Sequence, residues 1–278
     1  MIYDFGIKKY DLTSRTYVMG ILNITPDSFS DGGKYFDGKL NLEKVLKDAL
    51  QMEKDGADFI DVGGESTRPG SENISIDVEL ERVIPVIEGL INKIKIPVSI
   101  DTYKSQVAEE ALRSGASIVN DISGFRFDGM TAEVTAKYNA SCILMHIKGT
   151  PRDMQKNPVY GNVVEEVYDY LKKSISIAKS HGIKQIMTDV GIGFGKTVEH
   201  NLKLIRNLRE FTKLGYPLLL GVSRKSFIDK IYPTSVNERL EGTIASNVIG
   251  IMNGANIIRV HDVPENVKAA RITDRILF

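Results

Sequence analysis

Eight times along the chain, a short β-branched or apolar run is followed by a longer segment with apolar residues at helical spacing. The runs are VMGILNI (18–24), ADFIDVG (57–63), PVSID (97–101), SIVND (117–121), SCILMH (141–146), QIMTDV (185–190), PLLLGVS (217–223) and NIIRV (256–260). Most are almost continuously apolar, as strands covered on both faces are. The segments between them, such as NLEKVLKDALQMEKDG (41–56), VVEEVYDYLKKSISIAKSHG (163–182) and EHNLKLIRNLREFTKLG (199–215), read as amphipathic helices ending at glycine. Repeated β-then-α units predict a parallel sheet, and eight is the number that closes into a (β/α)8 TIM barrel, an α/β fold. A doubly wound open sheet is the alternative. It usually has fewer strands and a Gly-rich turn at its switch point, and neither GxGxxG nor GxxxxGK[ST] occurs here. Residues 1–16 alternate apolar and polar around Gly6, which reads as a short β-hairpin before the first barrel strand, covering the barrel bottom. No linker or composition shift interrupts residues 1–278, so a single domain is expected.

Composition narrows the function classes. With 42% hydrophobic and 26% charged residues, disorder is excluded as the main state. Lys plus Arg and Asp plus Glu both number 36, so the basic excess of a general nucleic-acid or membrane-surface binder is missing, although a local anion site stays open. The one cysteine, Cys142, rules out an internal disulfide framework and a multi-cysteine metal site, and its apolar run makes it a buried, inert thiol. No window approaches the roughly 18 apolar residues of a membrane span, and MIYDFGIKKYDL lacks the apolar run of a secretion signal. A cytoplasmic protein is expected.

In a barrel the chemistry lies at the carboxyl ends of the strands. There the sequence carries Asn23, Asp61, Asp101, Asn120 with Asp121, Met145 with His146, Asp189, the run Ser223–Arg224–Lys225–Ser226, and Arg259 with His261. Any one of these reads equally well as a helix cap or a satisfied loop group. Capping does not require both charge signs at one mouth. Asp101, Asn120 and Asp189 offer acceptors that suit a flat heterocycle with adjacent N–H groups, such as a 2-amino-4-oxo ring. Arg259 can lie against such a ring or fork onto a phosphate, and Lys225 supplies a point charge. Arg68, Arg259, His261 and Asn23 can surround a diphosphate. There is no dedicated carboxylate cage for a metal, so Mg²⁺ held mainly by substrate phosphates and one or two protein oxygens fits better. The loops TPDSFSDGGKYF and GGESTRPGS exceed the usual βα length of about 2–6 residues and read as lids over substrate. Phe29 in the first would have to cover something. GIGFGK (191–196) is a weak phosphate-loop signal whose Phe194 can wall a second pocket, and His146 and His261 have no metal spacing.

The motifs MGILNITPDSFSDGG, DVGGESTRPGS, SIDTYK, NDISG, MHIKGTPRDMQ, DVGIGFGKT, GVSRKSF and RVHDV, in this order from about residue 18 to 263, resemble the bacterial dihydropteroate synthases. The resemblance implies a (β/α)8 barrel, commonly dimeric, that joins 6-hydroxymethyl-7,8-dihydropterin diphosphate to p-aminobenzoate and is the target class of sulfonamides. It implies pterin-ring contacts from Asp101, Asn120, Asp189 and Lys225, with Arg259 stacking and Met145 and Ile122 packing nearby. It implies Asn23 as the Mg²⁺ ligand, and Asn23, Arg68, Arg259 and His261 around the diphosphate. Thr67, Pro69, Phe194, Lys225 and Ser226 resemble the wall of the p-aminobenzoate site, with Phe29 and Asp31 in the first loop. One departure is Val190, where the family motif often has Pro; it keeps a backbone N–H and leaves the Asp189 carboxylate in place. The catalytic set implied is Asn23, Asp31, Arg68, Lys225, Arg259 and His261. The rival readings are a methyltetrahydrofolate-to-corrinoid methyltransferase, which shares the pterin contacts but needs neither lid loop nor diphosphate cluster, and a catalytically silent pterin-binding subunit, which a lost Lys225 or broken loop would signal.

Overall fold

The computed structural model describes residues 1–26, 35–37 and 39–277. The chain opens with an antiparallel hairpin, β1 (Ile2–Asp4) and β2 (Lys9–Asp11), with Ile2 opposite Asp11 and Asp4 opposite Lys9. Strand β3 (Tyr17–Asn23) follows, and a two-stranded ribbon, β4 (Phe36–Asp37) and β5 (Lys39–Leu40), lies in the loop after it. Then come α1 (Leu42–Lys54), β6 (Phe59–Gly63), α2 (Ile76–Ile91), β7 (Val98–Asp101), α3 (Ser105–Arg113), β8 (Ile118–Asp121), α4 (Met130–Lys137) and β9 (Ser141–Met145). The second half runs α5 (Val163–Ser180), β10 (Ile186–Asp189), α6 (Val198–Arg206), α7 (Arg209–Thr212), β11 (Leu218–Leu220), α8 (Ser226–Ile231), α9 (Leu240–Met252), β12 (Ile257–Val260) and α10 (Val263–Leu277). Strands β3 and β6 to β12 are parallel and close into the expected barrel, β12 pairing back onto β3.

Strand parity sorts the apolar residues. Val18, Leu22, Ile60, Val62, Val98, Ile100, Val119, Leu144, Ile258 and Val260 pack outward with the helices in one continuous core, and Cys142 is buried among them as expected. Leu218, Leu220 and Val222 do the same beneath α5 and α6. The opposite parity gives Met19, Phe59, Ile118, Ile143, Met187, Leu219 and Ile257, which meet inside the lower barrel. There the hairpin closes the bottom: Tyr3, Phe5, Tyr10 and Leu12 join this cluster, and Phe5 meets Phe59 edge-on at 5.2 Å between centroids. Tyr3 Oη donates to the carbonyl of Ile186 at 2.6 Å and Tyr10 Oη to that of Asp58 at 3.2 Å, so both buried phenols are satisfied.

One helical expectation needs correction. The periodic segment 199–215 is not one helix but α6 and α7. The Asn207 amide donates to Lys203 O at 2.7 Å and Asn253, from the end of α9, donates to Ile205 O at 3.1 Å. Lys203 O still accepts the Asn207 N–H, but the Leu208 N–H turns to Ile205 O in a 3₁₀ contact at 3.4 Å, and the side-chain amides give these last-turn carbonyls a second donor. Between β11 and α9, α8 and a 3₁₀ turn over Val236–Glu238 fill the connection. No helix among the described residues is long and apolar enough to cross a membrane.

Candidate active site at the carboxyl end of the barrel

The parity that makes the lower layer apolar delivers polar residues two positions later. Phe59 is followed on the inner face by Asp61, Ile118 by Asn120, Met187 by Asp189 and Ile257 by Arg259, while Asp101 stands beside Asn120 in the β7–β8 register. Arg259 holds this layer together. Its Nε donates to Asp61 Oδ2 at 2.6 Å and its Nη2 to Asp101 Oδ2 at 2.7 Å, while Asn120 Nδ2 donates to the same Asp61 oxygen at 3.0 Å. Asp61 is wholly buried. The remaining oxygen of each carboxylate, Oδ1 of Asp61 and of Asp101, is buried without a hydrogen-bond partner among the described residues. Burial pushes Asp101 up to about 7; Arg259 opposes the rise and Asp61, as a second negative charge, adds to it. For Arg259 burial works against the charge, yet Asp61 and Asp101 outweigh it and hold the guanidinium above its ordinary value.

Asp189 and Lys225 lie near enough to perturb each other without being in ion-pair contact. Asp189 Oδ1 accepts from Gly191 N–H at 2.7 Å, and burial raises its carboxyl against the opposing pull of Lys225. Burial lowers Lys225 to about 8, with Asp189 acting in the other direction. The Lys225 ammonium donates to the carbonyl of Ile192 and lies 4.6 Å from the centre of the Phe194 ring. Gly221 keeps this region open: a Cβ there would stand 3.8 Å from Asp189 Oδ2 and 4.0 Å from Lys225 Nζ. Lys225 is aimed by its neighbour. Arg224 adopts a left-handed backbone (φ 54°), a conformation that costs a non-glycine residue roughly 1–2 kcal/mol. It is fixed by a fork onto Asp262 (2.5 and 2.9 Å), by Thr243 accepting its N–H at 3.0 Å, and by Arg239 donating to its carbonyl at 3.0 Å.

The third group is cationic and polar. His261 Nδ1 lies 3.0 Å from Ser223 Oγ, which also accepts the His261 N–H at 3.1 Å. Burial, followed by the charges of Arg259, Arg224 and Arg68, keeps this imidazole neutral. Arg68 and its loop are tied down from behind. Lys104 Nζ donates to Glu65 at 2.5 Å, to Glu79 at 2.7 Å and to Ile74 O at 2.8 Å, and Gly70 N–H donates to Pro151 O at 2.9 Å.

These groups surround a cavity of about 320 Å³ at the barrel mouth. Asn23, Thr67, Arg68, Pro69, Asp101, Phe194, Lys225, Ser226, Arg259 and His261, all expected from the sequence, line it. Asn120 and Asp189 do not line it and are buried within the same polar layer. Ile122 and Met145 lie behind one wall, packed with Ile147, Met154, Tyr103 and Phe194. Phe29 and Asp31 lie outside the described residues. Sequence reasoning listed Asp61 and Ser223 as strand-end residues without assigning them to the site. Both share the inward parity of Asn120 and Arg259, and that parity is the signal that could have found them. Lys104, Glu65 and the left-handed Arg224 had no local signal. No group of three or more His, Cys, Asp or Glu among the described residues could hold a metal ion.

A family model described as pterin binding enzyme matches residues 19–261. The dihydropteroate synthase of Clostridium beijerinckii is 51% identical over 275 residues, 98% of each chain. The dihydropteroate synthase of Yersinia pestis, solved in a sulfonamide drug complex, superposes with a TM-score of 0.95 at 39% identity, covering 100% of this chain and 99% of that one. The Xanthomonas albilineans dihydropteroate synthase in complex with 7,8-dihydropteroate superposes with a TM-score of 0.87 at 33% identity, over 100% of this chain and 99% of its own.

Proposed function

The chain belongs to the pterin-binding enzymes, and its activity is that of their dihydropteroate synthases; we propose that its barrel mouth divides that reaction among three groups of residues. The reaction is a transfer: 6-hydroxymethyl-7,8-dihydropterin diphosphate and p-aminobenzoate give 7,8-dihydropteroate and diphosphate. A C–O bond at the pterin methylene breaks, a C–N bond forms, and the arylamine loses a proton.

The observation that carries the assignment is the buried, unpartnered Oδ1 of Asp101 on the cavity wall, whose other carboxylate oxygen is held by Arg259. Buried acceptors of this kind are costly unless a ligand donates to them. Asp101, Asn120 and Asp189 receive the N–H-bearing edge of the pterin, Lys225 contacts its carbonyl side, the Arg259 guanidinium lies on its face, and Ile122 and Met145 pack behind. The diphosphate lies toward Asn23, Arg68, Arg259 and the neutral imidazole of His261. p-Aminobenzoate lies against Phe194, between Thr67 and Pro69 on one side and Lys225 and Ser226 on the other.

Mg²⁺ suits this donor set. Asn23 offers a neutral amide oxygen on the cavity wall with no carboxylate cage among the described residues, so the ion would be held by Asn23 and by phosphate oxygens. Bound there, it would neutralise charge on the departing diphosphate. The chain's own cations, Arg68 and Arg259, stabilise the same developing charge, and the carboxylates favour the electron-poor pterin methylene as the C–O bond breaks ahead of attack. The arylamine is nucleophilic when neutral, so this SN1-like course needs no nucleophile–base pair.

A homodimer is part of the same proposal. Ile249 and Met252 on α9 and Ile272 and Ile276 on α10 are about half exposed or more, on helices that pack side by side. A cytoplasmic location also belongs to it, since a pterin diphosphate is charged and does not cross a membrane unaided. The barrel and hairpin are taken as one domain, supported by the burial of Tyr3 and Phe5 in the barrel floor. The test is diphosphate release from the two substrates with Mg²⁺, with chromatography of the pterin product. Formation of dihydropteroate is expected. Pterin binding without product would move the silent-subunit or corrinoid-methyltransferase readings ahead.

A further inference from the structure

The segment Gly191–Lys196 carries Phe194, and all five of its carbonyls before Lys196 are taken by side-chain donors. Lys225 donates to Ile192 O, Gln155 Nε2 to Gly193 O at 2.6 Å, and Tyr160 Oη to Gly195 O at 2.8 Å. Lys196 takes the other two. Its Nζ donates to Gly191 O at 2.8 Å and to Phe194 O at 2.9 Å, and lies 2.8 Å from His146 Nδ1. Lys196 is only 2% exposed and does not line the cavity. Its terminal nitrogen points into the backbone of its own loop and onto the end of β9, where His146 follows Met145. Gly191, Gly193 and Gly195 all have left-handed backbone (φ 66°, 85° and 66°), and a Cβ on Gly191 or Gly195 would collide with the carbonyl of His146 or Lys148. Glycine here allows the loop to lie flush on its neighbour, which is a different use from cradling a phosphate.

We propose that Lys196 is a positioning residue for the second substrate: by tying the β10 loop to the end of β9 it sets the Phe194 face that the arylamine lies on and the Ile192 carbonyl that holds Lys225. The proposal rests on the reading of the Phe194 wall as the p-aminobenzoate pocket. Loss of the Lys196 contacts frees the carbonyls of Gly191 and Phe194, which flank the ring-bearing turn. The pterin acceptors Asp101 and Asn120, on β7 and β8, do not touch this loop, while Asp189 meets it only at the Gly191 N–H and Lys225 at the Ile192 carbonyl. The effect therefore falls more heavily on p-aminobenzoate than on the pterin, whereas a purely structural lysine would weaken both equally or neither.

The test is steady-state kinetics with each substrate varied in turn, on the whole protein with Mg²⁺, together with direct titration of the pterin diphosphate. Lys196→Met keeps length and removes the donors. It is expected to raise KM for p-aminobenzoate roughly tenfold or more, since displacements of about 1 Å can cost up to a hundredfold, with pterin affinity within about twofold of wild type. Gln155 is exposed, so Gln155→Ala keeps the fold while removing another anchor of the same loop. It should shift the same KM in the same direction by less, and it decides the matter if Lys196→Met does not fold. An unchanged KM for p-aminobenzoate in the folded variants, or equal weakening of both substrates, overturns the proposal. An active wild type with indifferent variants removes the role of Lys196 alone, while an inactive wild type removes the synthase reading beneath it.

Discussion

The lower and upper layers of the barrel interior come from the same strands, with the same alternation, and differ by a step of two residues. In the lower layer, Met19, Phe59, Ile118, Ile143, Met187, Leu219 and Ile257 meet the hairpin's aromatic side chains. In the upper layer, Arg259 joins Asp61 and Asp101, and Asp189 and Lys225 act on one another through their charges. The first arrangement gains from removing apolar surface from water, about 25 cal/mol per Å². The second is costly, because desolvating charges can outweigh their mutual attraction. Three buried or nearly buried carboxylates share two cations, and burial lifts both Asp101 and Asp189 above the usual carboxylate range. The fold is thus stabilised at one end of each strand and spends stability at the other, where we propose that the pterin supplies the missing partners.

The largest expected effect tests the upper layer. Arg259→Ala should lower kcat/KM on the order of a thousandfold by removing charge stabilisation at the reacting centre, while the barrel remains folded by circular dichroism. Urea unfolding should also show a loss of about 3–5 kcal/mol, because Asp61 is left buried without its cation. Turnover within tenfold of wild type would break the division between the layers. The counterpart below is Phe59→Ala. It should cost about 3–5 kcal/mol of unfolding free energy with both KM values unchanged, and a shifted KM would show that the floor takes part in binding.

A smaller, pH-dependent effect sharpens the contrast. Asp101 has a folded value of about 7, above its unfolded value near 4. Between those values the folded state holds more protons than the unfolded state. The contribution of this group to stability is therefore least unfavourable below about pH 4, falls as pH rises to about 7, and is flat above. Asp101→Asn should remove this decline, up to about 1.4 kcal/mol per pH unit, from urea midpoints measured between pH 4.5 and 7.5. Phe59→Ala should keep it; parallel profiles for the wild type and Asp101→Asn would refute the assignment. The smallest effect belongs to Tyr3→Phe, which removes the bond to Ile186 O and should cost about 1 kcal/mol with kinetics unchanged.

Much of this was legible along the chain. The eight units and the hairpin follow from runs and spacing, and ten of the residues lining the cavity follow from strand-end position together with what the family resemblance implies. What failed to show depended on partners distant in sequence. The break between α6 and α7 lies inside a continuous helical period, and there Asn253, 48 residues away, caps the Ile205 carbonyl. Asp61 looks like any strand-end acid until Arg259, 198 positions away, donates to it. Lys196 sits in a Gly-rich run that reads as a weak phosphate loop, and its actual contact, His146, is 50 residues back.

By itself the sequence determined the number of β-then-α units and the alternation that turns one set of side chains inward, because those patterns are written among residues two to four positions apart. It also determined that the inward set changes from apolar to polar toward the carboxyl end of each strand. Only the tertiary structure decided which charge meets which. Barrel closure and strand register set those pairings, bringing Arg259 to Asp61 and Asp101 across separations of 198 and 158 residues, which no local pattern encodes.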